Sequence, residues 1–519
     1  MSAKRIMIQG TMSNCGKSFL TAALCRIFWQ DGYRTAPFKS QNMALNSFIT
    51  RDGLEIGRAQ AMQAEAAKAE PSVDMNPILL KPVSHMGSQV IVRGQVAGNW
   101  RAMDYYRRKT EFIPVIRQAF DRLSEKYEVV VLEGAGSPAE INLQENDIVN
   151  MGMARIADAP VLLVGDIDRG GVFASFYGTV MLLEPEERAR IKGLVINKFR
   201  GDKGLLEPGL RMIEKRLNIP VVGVIPMEEI DLEDEDSLSE RLIRTEGADG
   251  KELLDIAVVR LPHISNFTDF NVLERWPGVR LRYVARASLL QKPDLIILPG
   301  TKNTMADLAW LRESGMEEEI LCLAKEEKTR VIGICGGYQM LGQWLQDPDG
   351  VEGDAGQCMK GMGLLPGETI FSGKKTRTQI RGALVRSSGM LGGDLGQGIT
   401  GYEIHMGDTR MADNCKGDDS AFVIALPDGR ADGMERMDGR VLGSYLHGLF
   451  DNYSLTEALL QKLARERGTD FAGEWMDRWK KEERSVKAYK EEQYEKLARL
   501  VRGALDMEKV YKIMEGQDG

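Results

Sequence analysis

The stretch KRIMIQGTMSNCGKSFLTAALCRIFWQ, residues 4–30, decides the architecture. It opens on an apolar run of strand character, breaks at Gly10, and resumes after Gly16 with helical spacing. The loop between, from Gly10 and Thr11 through Gly16 to Lys17 and Ser18, has the make-up of a phosphate cradle. Glycines let backbone N–H groups approach phosphate oxygens, lysine neutralises charge, the serine hydroxyl suits Mg2+, and a helix N-terminus favours anions. Five residues separate the glycines, one more than the standard loop. The bland alternative is a strand-to-helix turn of no function, but strand, GKS and helix in sequence favour nucleotide binding. Cys15 reads as a small packing residue, because backbone amides serve phosphate there and no base is identifiable beside it.

Outward from this stretch, short apolar runs alternate with longer helical patterns: EVVVLEG, APVLLVGDID, IKGLVINKF and PVVGVIP. The alternation predicts a parallel sheet covered by helices over residues 1–228. An acidic, glycine-containing stretch, residues 229–252, predicts a linker. A second series of runs, LLDIAVVRL, VRLRYVA, PDLIILPG, TRVIGICGG, SAFVIALPDG and RVLGSYLHG, predicts another α/β domain over 253–455. The expected fold class is α/β, two doubly wound domains with a helical C-terminal tail over 456–519. In that tail Leu497, Leu500, Val501, Ala504 and Leu505 fall at helical spacing. Its mixed-sign face suits a docking helix, whereas a membrane-surface helix needs a basic face and larger anchors.

A chain of 519 residues exceeds what one core organises. Apolar residues make up 43%, charged residues 28%, and the formal net charge is −8, so nucleic acid is not an expected partner. Six cysteines, at 15, 25, 322, 335, 358 and 415, are scattered without CxxC pairs. That spacing suggests neither a disulfide framework nor a zinc site and fits a reducing cytoplasm. The N-terminus runs directly into a strand, leaving no room for a signal peptide, and no apolar run approaches membrane-spanning length. A soluble cytoplasmic protein is expected, and the sequence leaves its oligomeric state open.

Three further places complete a candidate ATP site. Glu133 ends the strand run VVVLE, where a carboxylate can coordinate metal directly or through water, or simply cap the next helix. Asn197, in INKFRGD, offers an amide to an adenine edge. The stretch PFKSQNMALNSF, residues 37–48, crowds Lys39, Gln41, Asn42, Asn46 and Ser47 together. It reads equally well as an exposed loop or as a seat for a polar ligand beside transferred phosphate.

The second centre is RVIGICGGYQMLG, residues 330–342. A strand-to-helix turn at Cys335 forces the thiol outward and aims the Gly336 N–H where an oxyanion forms. Alone, a strand-end cysteine is as readily a small core residue, so a base must be found. Of the four histidines, His447 in RVLGSYLHGLFDN follows a strand and suits a general base. His405 in GYEIHMG competes, although Tyr402 and Glu403 beside it suit substrate or interface contacts equally. His263 and His85 read as structural or substrate-side groups.

GICGGYQMLG, with LPGTKNT upstream and SYLHG downstream, resembles the triad-type, class I glutamine amidotransferases, whose domain is flavodoxin-like. The resemblance implies that Cys335 attacks the glutamine side-chain amide, forms a glutamyl thioester and releases ammonia. It further implies His447 as catalytic histidine, Gly300 and Gly336 at the oxyanion, and Gln339 as a glutamine contact. One departure stands out: the acid usually found two residues after the histidine is Leu449 here. The histidine-orienting group is therefore absent or supplied elsewhere, which should lower efficiency without removing the chemistry.

The loop GTMSNCGKS resembles the dethiobiotin synthetase-like P-loop branch, whose members phosphorylate a carboxylate. That domain followed by a glutaminase is similar to the cobyric and cobyrinic acid amide synthases. KSQNMALNS, GLEIGRAQAMQAEAA, MNPILLKP, NKFRGD and ISNFTDFNVL resemble the cobyric acid synthase family in particular. This implies ATP- and glutamine-dependent amidation of the b, d, e and g carboxylates of adenosylcobyrinic acid a,c-diamide, in cobalamin biosynthesis. It also implies that Lys17 and Ser18 hold phosphate and Mg2+, that Glu133 helps with metal, and that Lys39 steadies the transferring group beside Gln41, Asn42 and Asn46. The corrinoid is then substrate, and no bound cobalamin cofactor is expected. Two rivals stand beside this: the sister enzyme acting on the a and c carboxylates, and a partition-type ATPase switch carrying a degenerate glutaminase.

Overall fold

A computed structural model describes residues 3–84, 87–233, 253–325, 329–386, 389–412, 422–469 and 486–517. His85, Cys415 and most of the expected acidic linker lie outside the described residues. The chain forms two compact units, one of Met1–Ala44, Leu54–Glu235 and Ala488–Gly519, the other of Leu45–Gly53 and Asp236–Lys487.

The first unit is built on six parallel strands: β1 (Lys4–Gly10), β2 (Thr35–Phe38), β3 (Val129–Glu133), β4 (Val161–Asp166), β5 (Ile191–Phe199) and β6 (Val221–Pro226). Their order is β6-β5-β4-β1-β3-β2. Helices cover both faces, which is why runs such as VVVLE are apolar almost throughout rather than alternating. β1 lies between β3 and β4, so the ends of these three strands bring Gly10, Glu133 and Asp166 to one rim, where open α/β sheets bind ligands. On one face the core takes in the C-terminal helix Val486–Ala504. Leu497 and Val501, expected at helical spacing, are wholly buried there with Ile6, Ile8 and Leu24. Arg26 anchors the same helix through Glu491 and Glu495, at 2.7 and 2.6 Å. The start of the acidic stretch is also held, because Glu233 accepts two 2.6 Å hydrogen bonds from Arg58 and pairs with Lys490.

Among the described residues the second unit has an eleven-stranded sheet. Five neighbouring strands are parallel, in the order Val279–Val284, Leu254–Val259, Leu295–Leu298, Arg330–Ile334 and Val441–Ser444. The sheet then turns antiparallel through Ala431–Glu435 and Phe422–Ala425 to the long pair Gly367–Leu384 and Gly398–Met411. Apolar runs do not announce that pair: Gly367–Leu384 carries GKKTRTQ in its middle. Leu295–Leu298, Arg330–Ile334 and Val441–Ser444 are adjacent, and each runs at its C-terminal end into a loop of the candidate site.

Candidate active sites

Cys335 follows the strand Arg330–Ile334 and precedes the helix Gly336–Leu341. Its backbone adopts φ 53°, ψ −109°, a conformation that a residue with a side chain enters only when the surroundings force it. The force is close packing. A methyl group at Gly337 would come within 2.0 Å of the Leu298 carbonyl oxygen, so the helix can begin against the neighbouring strand only through glycine. The thiol points to the Ile404 carbonyl oxygen at 3.5 Å. Gly300 ends the adjacent strand loop beside the imidazole, where an added methyl would lie 3.2 Å from His447 Cε1.

His447 is buried, its ring stacked on Tyr402 at 5.1 Å and 17°. Its Nδ1 lies 2.6 Å from Asp269 Oδ2, and Nε2 has no partner among the described residues. Nδ1 therefore carries the proton shared with Asp269, which leaves Nε2 for the reacting thiol. Burial disfavours the imidazolium, but the Asp269 carboxylate, with Cys335 acting in the same direction, outweighs it and pushes the pKa up to about 10.

Asp269 thus occupies the role left open by Leu449, which is buried in the core instead. It stands on the 3-10 helix Phe267–Arg275, launched by Asn266 at φ 52°. The residue lay inside the quoted ISNFTDFNVL, yet its contact spans 178 positions of sequence, which no local pattern encodes.

Gln339 sits one helical turn beyond Cys335. Its Nε2 donates to the Tyr445 hydroxyl at 3.2 Å and its Oε1 accepts from Thr304 Oγ1 at 2.8 Å. His263 is tied to Asp307, with Nδ1 and Oδ1 2.7 Å apart, and that carboxylate raises its pKa.

In the first unit the phosphate loop is shaped from below by Asn197, whose amide nitrogen donates to the Cys15 carbonyl at 3.0 Å. Gly16 has φ 102°, and a Cβ there would fall 2.0 Å from the same amide nitrogen. Cys15 is buried. Lys17 Nζ spans the loop, donating to the carbonyls of Met12 at 3.0 Å and Gly136 at 3.1 Å. Glu133 gathers three donors: Ser18 Oγ at 2.9 Å, Lys39 Nζ at 2.8 Å and Gln63 Nε2 at 2.5 Å. Ser18 and Glu133 are hard oxygen donors of the kind Mg2+ takes alongside phosphate and water.

Of the other polar residues expected there, Asn42 donates to Gln60 at 3.1 Å and Gln41 accepts from the Tyr105 hydroxyl at 2.6 Å. Asn46 falls in Leu45–Gly53, the segment grouped with the second unit. Sequence reasoning missed Gln63, Asn150 and Lys198. Asn150 bonds Ala135 through both amide atoms, holding the turn after Glu133. Lys198 bridges Asp166 and the Asn14 carbonyl of the loop. Gln63 and Lys198 lie within the stretches GLEIGRAQAMQAEAA and NKFRGD but carry no local mark of these contacts, and Asn150 stands just before a helix.

The family model for the CobB/CobQ-like glutamine amidotransferase domain matches residues 255–455, and that for the CobQ/CobB/MinD/ParA nucleotide binding domain matches residues 6–238. A protein of Lachnoclostridium phytofermentans named cobyric acid synthase is 55% identical over 99% of both chains. One of the same name from Ruminiclostridium cellulolyticum is 53% identical over 99% of this chain and 97% of its own. Another, from Alkaliphilus metalliredigens, is 50% identical over 98% of this chain and all of its own.

Proposed function

The chain belongs to the cobyric acid synthase family, and from that premise we propose how its two sites divide one reaction. In the second unit, Cys335 Sγ, as the thiolate whose proton His447 Nε2 holds, attacks the side-chain amide carbon of glutamine. The imidazolium then protonates the leaving nitrogen, ammonia departs, and water hydrolyses the thioester to glutamate. The N–H groups at Gly336 and in the Gly300 loop receive the oxyanion. In the first unit, Lys17 and the loop amides hold ATP phosphates, and Lys39 balances charge as the γ-phosphoryl group passes to a carboxylate oxygen of the corrinoid. The acyl phosphate has a leaving group that a carboxylate lacks, so ammonia displaces phosphate and forms the amide. Ser18 and Glu133 would hold Mg2+, which supplies charge neutralisation at the phosphates.

The substrate on this reading is adenosylcobyrinic acid a,c-diamide, amidated at its b, d, e and g carboxylates. A cytoplasmic setting fits a nucleophile that must stay a free thiol, and among the described residues no helix is long and apolar enough to cross a membrane. The observation that carries the reading is the set Cys335, His447 and Asp269 in one unit of a chain whose other unit gathers Lys17, Ser18, Lys39 and Glu133. It also answers the rival of a degenerate glutaminase, since the acid missing at Leu449 is supplied by Asp269. Mass spectrometry of the corrinoid after incubation with ATP, Mg2+ and glutamine tests the substrate: four successive carboxylate-to-amide steps are expected. No step on the a,c-diamide, with two steps on the corrinoid that still carries free a and c carboxylates, would favour the sister reaction.

A further inference from the structure

The loop from Gly300 to Thr304 carries one of the oxyanion donors and lies directly on the other. A Cβ at Gly336 would meet Thr301 Cγ2 at 2.6 Å, Thr301 N at 3.1 Å and Thr304 Oγ1 at 3.3 Å. At such close packing, any shift of this loop moves one donor relative to the other. What fixes the loop therefore bears on the chemistry.

The near end is tied locally. Ser265 N donates to the Gly300 carbonyl at 2.9 Å. Thr301 Oγ1 donates to Asp307 Oδ2 at 2.5 Å, and the other oxygen of that buried carboxylate pairs with His263. The far end is tied by a residue 48 positions away, Glu352, in the loop between the antiparallel strands Trp344–Asp347 and Gln357–Lys360. Its Oε2 accepts from the Thr304 N–H, the Met305 N–H also bonds the carboxylate, and its main-chain carbonyl accepts from Asn303 Nδ2 at 3.1 Å. Glu352 is itself set in place, because the buried carboxylate of Asp347 accepts from the N–H groups of Val351, Glu352 and Gly353 at 2.7, 2.8 and 3.1 Å.

The helix Thr304–Glu313 does not need this carboxylate in order to begin. Asn303 already caps it, accepting from the Ala306 N–H at 3.0 Å. Nor is the charge held without cost: desolvation, with Asp347 adding to it, pushes the Glu352 pKa up to about 7 against the pull of Lys302 and the two N–H groups. A strained carboxylate that is redundant for the helix, yet bridges a distant segment to the oxyanion loop, suits a functional role better than a purely structural one.

We propose that Glu352 is a positioning residue for the glutaminase step: by clamping Thr304 it sets the Gly300 loop against Gly336 at the spacing the oxyanion requires. The inference rests on the glutaminase reading of the second unit. Because the clamp acts on a charge that develops only during the reaction, its loss should fall on kcat and leave KM nearly unchanged.

Two variants of the full-length protein separate reach from charge. Glu352→Asp keeps the carboxylate but withdraws it by one methylene from the Thr304 N–H, whereas Glu352→Gln keeps an acceptor at full reach without the charge. The expected kcat for glutamine hydrolysis is lower by about tenfold or more in Glu352→Asp and within about threefold of wild type in Glu352→Gln. Iodoacetamide alkylation of the Cys335 thiol, followed at its own peptide by mass spectrometry, displaces iodide without forming an oxyanion, so its rate should match wild type in both variants. A kcat in Glu352→Asp within about twofold of wild type overturns the proposal. So does an equal kcat loss in both variants, which would assign the effect to charge, or a kcat loss matched by slower alkylation, which would assign it to the nucleophile. Failure of wild-type protein to hydrolyse glutamine would instead sink the glutaminase reading, and this inference with it.

Discussion

At the scale of the residue, the hydrogen bond from His447 Nδ1 to Asp269 orients the histidine proposed to serve the glutaminase step. It orients the ring and holds the imidazole in its protonated form beside the thiol. Asp269→Asn should lower kcat for glutamine hydrolysis by roughly 10²- to 10⁴-fold, the scale of losing a histidine-orienting carboxylate, with a smaller effect on KM. The pH profile carries the sign. With its pKa raised from about 6.5 to about 10, the imidazolium is lost only as pH climbs towards 10. The asparagine variant should move that alkaline limb of kcat towards neutrality. By linkage, the same ion pair contributes stability fully present below about pH 6.5 and lost as pH rises through the folded value. Cys335 and His447 were legible in the sequence because each ends a strand run beside glycine. Asp269 was not, because its role exists only once two distant segments meet.

At the scale of the element, legibility followed hydrophobic period. The six parallel strands and the helix Val486–Ala504 stand out, since burial on both faces or along one stripe writes a pattern into the chain. The long antiparallel pair Gly367–Leu384 and Gly398–Met411 writes none, yet it carries Tyr402 and His405 to the pocket. Leu497 illustrates the legible case: it is wholly buried in the core that includes Ile6 and Ile8 of β1. Leu497→Ala should destabilise the first unit by about 2–5 kcal/mol through lost burial and the cavity left behind. A lower urea midpoint for that unit's transition would register it, and an unchanged midpoint would mean the helix is not part of the core.

At the scale of the whole molecule, two units with parallel strands each place a loop at the C-terminal ends of adjacent strands, the proposed phosphate site in one and the proposed thiol nucleophile in the other. The two series of strands were readable from glycine loops after apolar runs. The assignment of Leu45–Gly53 to the second unit and Ala488–Gly519 to the first was not, because apolar period shows that a segment is buried and not against what. Ammonia is the one species the two sites must share, so removing its source should leave the ATP-dependent step intact. The most direct test is corrinoid amidation by the Cys335→Ser protein with ATP and Mg2+, supplied with glutamine or with ammonium. No amide is expected from glutamine, and amidation at a rate near wild type is expected from ammonium. Loss of both activities in a folded protein, or persistence of the glutamine-dependent one, would contradict it.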